Sequence, residues 1–396
     1  MRPLLQTAAV PALTAALVAA LLAAHPFEAA QAVLERCFAS APSWTQVTRV
    51  LTDPAIQEVS HGENPSGSLA ALAGSWRQHP GCDRIMLIGN SQMFAVSLAP
   101  GEYPLGAPER TYPDLVAEAL RSGGGQRFCY RLAAPGMSYT EALWYTVYVA
   151  AAPELRPTSI VLQLNYQSFW NGRIRDGMLE MLDRPAFAES AQRLASAGRP
   201  YSDDFADAIR RYRQKKLQAS APSSRVEGTG LAGPVLGRGF EASVRAALES
   251  LPVWRERRRH RDSFYDMLYS ARIYLLHVKP STARSIDGTR LWRSQAALEE
   301  LGRTCRESGI RLVLFNAPVN PRVTLYQSAA DLERYRGFIA RLTSEYGIPI
   351  HDFETAIPGD LWGSWMNGPD PLHLGRQGHR LMASHIVRIL EPSLAR

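Results

Sequence analysis

Three residues from distant parts of the chain carry the side chains that hydroxyl-based acyl transfer requires. Ser91 follows the apolar run of residues 85–88, and Asp370 and His373 lie three positions apart near the carboxyl terminus. A serine hydroxyl becomes nucleophilic when an imidazole takes its proton, and a carboxylate on the other ring nitrogen holds the productive tautomer. The residue types therefore predict a nucleophile, a base and an orienting acid.

The sequence around Ser91 favours this interpretation. We expect Ser91 where a strand turns into a helix, at the carboxyl edge of a parallel sheet, where open α/β folds bind their ligands. Gly89 is expected to permit a tight turn there. The same Gly-Asn-Ser segment also suits an ordinary turn and helix N-cap. His373 lies in a predicted loop rich in breakers, residues 365–373, just ahead of a predicted helix.

Strand-like and helical patterns alternate along the chain, which predicts an α/β fold with about five parallel strands and right-handed crossovers. The predicted strands are residues 85–88, 128–132, 160–164, 311–315 and 349–351, and the predicted helices are residues 112–121, 139–151, 294–307, 329–346 and 377–390. Residues 170–293 show no strand alternation. Because a structureless loop of that size is implausible in a compact domain, we predict a helical insertion with a flexible centre.

Two further strands end in residues that complete a known pattern. Gly136 and Asn165 follow the second and third predicted strands. Together with Ser91 and the pair Asp370 and His373, they occur in an order that resembles the SGNH (GDSL-like) hydrolase superfamily. The resemblance implies a three-layer α/β/α fold and the catalytic residues Ser91, Asp370 and His373. It also implies an oxyanion hole formed by Ser91, Gly136 and Asn165, with no metal or organic cofactor.

Each of the two added residues also fits an ordinary turn or strand-ending cap, and only the joint order favours the oxyanion role. Asn90 stands where the superfamily usually has Asp, and Tyr166 follows Asn165 where many esterases have Asp. A strand with a Pro-Val-Asn turn at residues 313–320, together with residues 373–378, resembles membrane-anchored SGNH proteins of the DltD type or of polysaccharide O-acetylation. That likeness implies action with a membrane-bound O-acyltransferase on cell-envelope polymers.

Composition and charge narrow the function classes. The formal net charge is +7 at pH 7, but the arginines are scattered and no nucleic-acid-binding signature occurs, so we expect no nucleic acid partner. The basic run at residues 255–261 is predicted to be a solvated helix face, with attraction to anionic lipid or polymer as the alternative.

The cysteines lack metal-site spacing. Cys129 and Cys305 are expected to be buried thiols, and Cys37 with Cys82 is a candidate disulfide.

The prediction of where the protein lies in the cell depends on the amino-terminal segment. Residues 4–24 contain no charged residue and follow Arg2, and their length of about 20 residues matches a bilayer core. We predict a signal or uncleaved anchor helix at residues 1–28 and a helical linker region at 29–80. The SGNH-like domain at 81–396 would then face the periplasm or the cell exterior.

These features together predict an extracytoplasmic, membrane-tethered serine O-acyltransferase or O-acyl esterase that acts on acetyl groups of a cell-envelope glycan. The expected partners are the acylated glycan or acyl donor and a membrane-bound O-acyltransferase. Two alternatives remain open. One is a non-catalytic accessory protein that binds polysaccharide or scaffolds an acyltransferase. The other is a lipase-like esterase in which residues 170–293 form a lid over an apolar cleft.

A C-terminal alkaline phosphatase fusion should be active, because Arg2 ahead of an uncharged segment favours an amino terminus in the cytoplasm and a catalytic domain outside it. The protein should stay with membranes in high salt, and removal of residues 1–28 should release a soluble, folded domain. Phosphatase activity, fractionation and circular dichroism measure these outcomes. An inactive phosphatase fusion beside a fluorescent C-terminal GFP fusion would place the domain in the cytoplasm and remove envelope glycans from its substrates.

Overall fold

The structure, a computed structural model, describes most of the α/β part of the chain. The described residues are 81–94, 96–97, 110–122, 127–134, 136–169, 174–220, 287–323, 328–365 and 368–394. The predicted membrane segment at residues 1–28, the predicted linker region at 29–80, Cys37 and the basic run at 255–261 lie outside them. Within the described residues, no helix is long and apolar enough to span a bilayer.

Five parallel strands form the central sheet, which confirms the predicted class. The strands are β1 Asp83–Gly89, β2 Arg127–Ala133, β3 Ser159–Leu164, β4 Arg311–Asn316 and β5 Ile350–Asp352. Their order is β2-β1-β3-β4-β5, and every neighbouring pair is parallel. β1 therefore lies between β2 and β3, so the strands that precede Ser91, Gly136 and Asn165 are neighbours.

Helices cover both faces of the sheet. They are α1 Tyr112–Ser122, α2 Tyr139–Ala150, α3 Pro185–Ala195, α4 Ser202–Ser220, α5 Gly288–Glu307, α6 Ala329–Tyr346 and α7 Arg376–Leu394. Helices α2, α5 and α6 cover one face, with α3 and α4 packed on α2. Helices α1 and α7 cover the other face. The three layers are therefore helices, sheet and helices.

The central strands are apolar over most of their length, as expected of strands that are covered on both faces. In β1, Ile85 and Leu87 belong to the core beneath α1 and α7. Met86 and Ile88 belong to the core beneath α2, α5 and α6. All four side chains are fully buried. A continuous apolar run is what such a strand requires, since successive side chains point to opposite faces.

The described part of residues 170–293 is helical. A 3-10 helix, Asp176–Asp183, leads into α3 and α4. Phe187 of α3 packs edge-on against Trp144 of α2 with ring centroids 4.8 Å apart, and Phe205 of α4 packs against the same ring at 5.1 Å. Aromatic side chains therefore join this segment to the core of the domain.

Helix α5 begins earlier than the pattern predicts. It starts at Gly288 rather than at residue 294, because the Asp287 carboxylate caps it by accepting a hydrogen bond from the N–H of Thr289 at 3.1 Å. The first turn is exposed, and an exposed turn carries no apolar pattern that a sequence could show. The helix therefore reaches into the stretch predicted as the insertion.

Two short antiparallel strands form a hairpin that the sequence does not predict. They are β6 Trp362–Trp365 and β7 Gly368–Leu374, and their pairing contains a register shift. The prediction of a loop at residues 365–373 is therefore wrong. Pro369 and Pro371 lack an N–H group for pairing, which explains why the segment resembles a loop in sequence.

Asp204 of α4 connects the insertion to the helices that cover the sheet. Its carboxylate accepts hydrogen bonds from the guanidinium of Arg293 in α5 at 3.0 Å and from the hydroxyl of Thr140 in α2 at 3.2 Å. Burial raises the pKa of Asp204 to about 6, although Arg293 and Thr140 favour the ionised form. Three helices therefore meet at a carboxyl group that titrates close to neutral pH.

Replacing Asp204 by Asn should change how stability depends on pH. A carboxyl group with a raised folded-state pKa holds its proton more tightly when folded, so its contribution to stability falls as pH rises from about 4 to about 6. Between about pH 4 and pH 6, the free energy of unfolding of the wild type should fall by up to roughly 3 kcal/mol relative to that of Asp204→Asn. Urea unfolding at each pH measures this difference. Asp203→Asn, at an exposed neighbouring position, is the control. A pH-independent difference between wild type and Asp204→Asn would contradict the prediction.

Candidate active site

Ser91 begins a single turn of 3-10 helix directly after β1. The turn is Ser91–Met93, and Asn90 caps it, since its side-chain oxygen accepts a hydrogen bond from the N–H of Gln92 at 3.1 Å. The N–H of Phe94 donates to the carbonyl of Ser91 at the end of the turn. The expected transition from strand to helix is therefore present as one short turn. Ser91 is partly exposed, so a substrate can reach it.

Gly89 is required by crowding, not by its backbone conformation. It is not among the described glycines with positive φ, so the turn itself does not demand glycine. A Cβ at this position would lie 2.6 Å from Oε1 of Gln163 and 2.6 Å from Cε of Met93. Contacts this short are not tolerated between packed atoms, so a larger residue would displace Gln163 or Met93.

The Asp370 side chain bends strand β7. Its Oδ1 accepts hydrogen bonds from the backbone N–H groups of Leu372 and His373, at 2.8 and 3.0 Å. In a regular strand, residues three apart point to opposite faces. This Asx-type turn instead returns the His373 ring to the carboxylate, where Nδ1 lies 3.1 Å from Oδ2.

The side chains of His373 and Ser91 are in direct contact. Nε2 of His373 lies 3.1 Å from Oγ of Ser91, and the other ring nitrogen faces Asp370. The predicted contacts among Ser91, His373 and Asp370 are therefore present, although Ser91 and His373 lie 282 positions apart in sequence. His373 and Asp370 are both buried, which keeps water from competing for these hydrogen bonds.

Asp370 is ionised at neutral pH. Burial by itself would raise its pKa, but the His373 ring and the N–H groups of Leu372 and His373 outweigh burial and hold the pKa below its ordinary value. An ionised carboxylate favours a proton on Nδ1 of His373. We therefore assign the tautomer in which Nε2 accepts the hydroxyl proton of Ser91. The array can thus deprotonate a hydroxyl nucleophile.

Gly136 and Asn165 lie at the same edge of the sheet as Ser91. Gly136 follows β2 with a φ of 57°, a left-handed conformation that glycine adopts most readily, and Asn165 follows β3. The N–H of Ala134 donates to the carbonyl of Gly89, which holds the segment after β2 beside the turn Ser91–Met93. Because β2 and β3 flank β1, the three predicted oxyanion residues come from adjacent strand ends.

Tyr139 links the segments that carry Gly136 and Asn165. It is the first residue of α2, and its buried hydroxyl accepts the N–H of Asn165 at 2.8 Å while donating to the carbonyl of Asn165 at 2.9 Å. Burial raises the pKa of Tyr139, so the phenol keeps the proton that it donates. One hydroxyl therefore fixes both backbone polar groups of Asn165.

An ion pair anchors the start of α2 to the segment after β3. Ser138 and Glu141 form a capping box, in which each side chain accepts the backbone N–H of the other. Glu141 is buried, and its carboxylate also accepts two hydrogen bonds from the guanidinium of Arg175, at 2.6 and 2.9 Å. This bidentate pair holds the beginning of the helix that follows Gly136.

The sequence does not identify several polar residues that contact the site. Gln92 and Gln163 are buried and share a hydrogen bond, and Asn320 donates to the carbonyl of Asp370 at 2.8 Å. A signal existed for Gln163, because a buried amide within an apolar strand must find partners. Asn320 belongs to the Pro-Val-Asn turn, which the sequence indicates only as a family resemblance. Tyr139 gives no such signal.

Two buried cysteines are confirmed, and they offer no second nucleophile. Cys129 and Cys305 are almost completely buried, as is Cys82. Burial raises the pKa of the Cys305 thiol to about 12 and that of Cys129 still further above its ordinary value. Both remain protonated thiols at neutral pH, and the thiolate is the reactive form. Within the part of the chain that the structure describes, no group of three or more His, Cys, Asp or Glu could hold a metal ion.

Comparison with known proteins gives structural matches alone. No protein-family model matches the sequence, and no curated protein matches it. A candidate acylhydrolase from Bacteroides fragilis NCTC 9343 matches with 11% identity and a TM-score of 0.33, over 84% of this chain and 100% of its own. The SGNH-hydrolase family esterase AlinE4 matches with 20% identity and a TM-score of 0.17, over 43% of this chain and 98% of its own.

The chain resembles the SGNH hydrolases in its sequence blocks. The finer likeness to DltD-type proteins stays a prediction. With TM-scores below 0.5, the structural matches carry no argument about activity. The chemistry therefore rests on the geometry of Ser91, His373 and Asp370.

The expected oxyanion role of Asn165 predicts a kinetic effect of Tyr139→Phe. The change removes both hydrogen bonds between the phenol and the Asn165 backbone and leaves the one from the Ser168 N–H to the Asn165 carbonyl, so the side-chain amide should be held less firmly. We expect kcat for p-nitrophenyl acetate to fall roughly tenfold, which corresponds to about 1.4 kcal/mol. This is less than the ~3 kcal/mol expected for loss of a whole oxyanion donor, because the amide itself remains. Tyr201→Phe, which removes a buried phenol hydrogen bond to Glu300, is the control. Equal kcat values in the two variants would refute this role of Tyr139.

Proposed function

We propose that the protein is a serine-dependent, esterase-type enzyme that cleaves or transfers O-linked acyl groups. The observation that carries the proposal is the continuous chain of contacts from Ser91 through His373 to Asp370, each 3.1 Å long. The carboxylate is buried and ionised, whereas the nucleophile is partly exposed. Burying an ionised group costs free energy, and such groups cluster at functional sites.

The proposed reaction begins when Oγ of Ser91 attacks the acyl carbonyl carbon while Nε2 of His373 takes the hydroxyl proton. Asp370 stabilises the imidazolium that forms and keeps the ring in place. The tetrahedral intermediate collapses as the C–O bond to the leaving alcohol breaks, and His373 gives its proton to that alcohol. The acyl group then remains on Ser91 as an ester.

The second half-reaction releases the acyl group. Water or an acceptor hydroxyl attacks the acyl-enzyme while Nε2 of His373 takes its proton. The bond to Oγ of Ser91 then breaks, and His373 returns the proton to that oxygen. Water gives hydrolysis, and an acceptor hydroxyl gives acyl transfer by the same proton path. The scheme uses no metal or organic cofactor in either case.

The proposed oxyanion donors are the backbone N–H groups of Ser91 and Gly136 and the side-chain amide of Asn165. Negative charge develops on the former carbonyl oxygen, and a donor preorganised at that position contributes about 3 kcal/mol. Support comes from the adjacent strand ends of β2, β1 and β3. Further support comes from Tyr139, which fixes the Asn165 backbone before a substrate binds.

The finer part of the proposal concerns substrate and location. We propose acetyl groups of a cell-envelope glycan as the acyl groups, a membrane tether at residues 1–28 and a domain facing the periplasm or exterior. The support lies in the sequence: the uncharged segment at residues 4–24 and the DltD-like turn at residues 313–320. The proposed partner is a membrane-bound O-acyltransferase.

Ser91→Ala and His373→Ala should each abolish nearly all activity toward p-nitrophenyl acetate. The double variant should be little worse than either single one, because members of a triad act as a unit. A fluorophosphonate probe should label wild type once, at Ser91, as measured by intact mass and peptide mapping. Ser384→Ala and His385→Ala, both on α7, are the controls. Full activity of folded Ser91→Ala would exclude catalysis by this triad and leave the accessory role.

Glycan analysis separates transfer from hydrolysis. In cells that carry only the Ser91→Ala protein, mass spectrometry of envelope glycans should show fewer acetyl groups if the enzyme is a transferase and more if it is an esterase. A strong preference of the purified protein for long-chain p-nitrophenyl esters over acetate would instead support the lipase-like alternative.

A further inference from the structure

The nucleophile and the base belong to segments that are far apart in sequence, so a specific contact must keep them in register. Ser91 and His373 are separated by 282 positions, and their side chains meet at 3.1 Å. Proton transfer and nucleophilic attack tolerate little displacement from such a geometry. The residue directly after the nucleophile, Gln92, makes a contact that spans the two segments.

The side-chain amide of Gln92 joins three parts of the site. Its Nε2 donates to the carbonyl of Leu372, directly before His373, at 3.1 Å, and to the carbonyl of Pro318, after β4, at 3.2 Å. Its Oε1 accepts a hydrogen bond from Nε2 of Gln163 in β3 at 2.5 Å. Gln92 is 3% exposed, so these hydrogen bonds form out of water, where they are strongest.

The ends of this hydrogen-bond chain fix its direction. The carbonyls of Leu372 and Pro318 can only accept, so Gln92 must present its NH2 group to them and its oxygen to Gln163. Gln163 must then donate to Gln92, and its own Oε1 accepts the backbone N–H of Asn90 at 3.2 Å. Flipping either amide would bring two donors or two acceptors together, so the pair has one orientation.

Two neighbouring features reinforce this connection. Asn320, in the same turn as Pro318, donates to the carbonyl of Asp370 at 2.8 Å, so the turn after β4 holds strand β7 at a second point. Gly89 leaves the space that Oε1 of Gln163 occupies. Contacts from β3, from the turn after β4 and from β7 therefore converge on the segment that follows β1.

We propose that Gln92 is a positioning residue that holds the strand carrying His373 at hydrogen-bond distance from Ser91. The inference rests on the proposed function. Gln92 does not touch the reacting atoms in this scheme. It acts through the Leu372 carbonyl, and so through the backbone that leads into His373. Its removal should therefore slow the proton-transfer step and leave substrate binding nearly unchanged.

Gln92→Met tests the inference because it keeps a side chain of similar length and removes all three hydrogen bonds. We expect kcat for p-nitrophenyl acetate to fall about 100-fold, the effect of a misplacement near 1 Å. KM should change less than about threefold. Fluorophosphonate labelling of Ser91 should slow by a similar factor, since labelling also needs His373 as the base. Circular dichroism and melting temperature establish that the variant is folded.

Gln163→Met is the matched comparison. It removes the hydrogen bonds that the Gln163 side chain makes with Gln92 and with the N–H of Asn90. The hydrogen bond between Gln92 and Leu372 remains, so kcat should fall less than about tenfold. Equal losses of kcat in the two variants, in proportion to their losses of melting temperature, would show a structural role and overturn the inference. If Gln92→Met does not fold, Gln92→Leu takes its place with the same expected loss, because leucine also lacks the donors to Leu372 and Pro318.

Labelling of Ser91 distinguishes a failure of the positioning role from a failure of the proposed function. A wild-type protein labelled at Ser91, together with folded Gln92 variants labelled at the wild-type rate, refutes the positioning role alone. A wild-type protein that is neither labelled nor active refutes the proposed function, and the inference fails with it.

Discussion

The Asp370 carboxylate is 2% exposed, and an ionised group in such a position costs several kcal/mol unless hydrogen-bond donors surround it. The backbone N–H groups of Leu372 and His373 approach one oxygen, and the His373 ring approaches the other. These are the same contacts that bend β7 and direct the imidazole toward Ser91. One local conformation therefore satisfies the buried charge and directs the imidazole toward Ser91. The turn after β4 contacts this segment through Asn320, and the turn Ser91–Met93 contacts it through Oγ of Ser91.

The sheet could be predicted because a central parallel strand has a distinctive sequence. β1 is covered on both faces, so residues 85–88 are all apolar and buried. The strand extends beyond that run, over Asp83–Gly89, since its polar first residues are partly exposed and carry no apolar signal. The positions of Ser91, Gly136 and Asn165 followed from the strand ends, because carboxyl ends of neighbouring parallel strands meet at one edge. Sequence thus indicated which residues could meet, and where.

The remaining parts of the site depend on tertiary contacts that leave no local pattern. The shape of β7 comes from the Asp370 side chain and from pairing with β6, whereas its prolines indicate a loop. Gln92 and Gln163 have side chains typical of surfaces, and they are buried because each provides the partner that the other needs. Their separation of 71 positions gives no reason to pair them. Tyr139 likewise fits an ordinary helix start until its hydroxyl is seen between the backbone groups of Asn165.

The absence of a side chain at Gly89 leaves room for the amide of Gln163, since a Cβ on residue 89 would lie 2.6 Å from the amide oxygen. A methyl group at residue 89 leaves no room for that amide, and a shorter side chain at residue 163 leaves the N–H of Asn90 without its acceptor. Each single change is penalised, the first by the close contact and the second by the buried N–H group that loses its acceptor. In the descendants of one ancestral gene, glycine at residue 89 and glutamine at residue 163 should therefore be retained together.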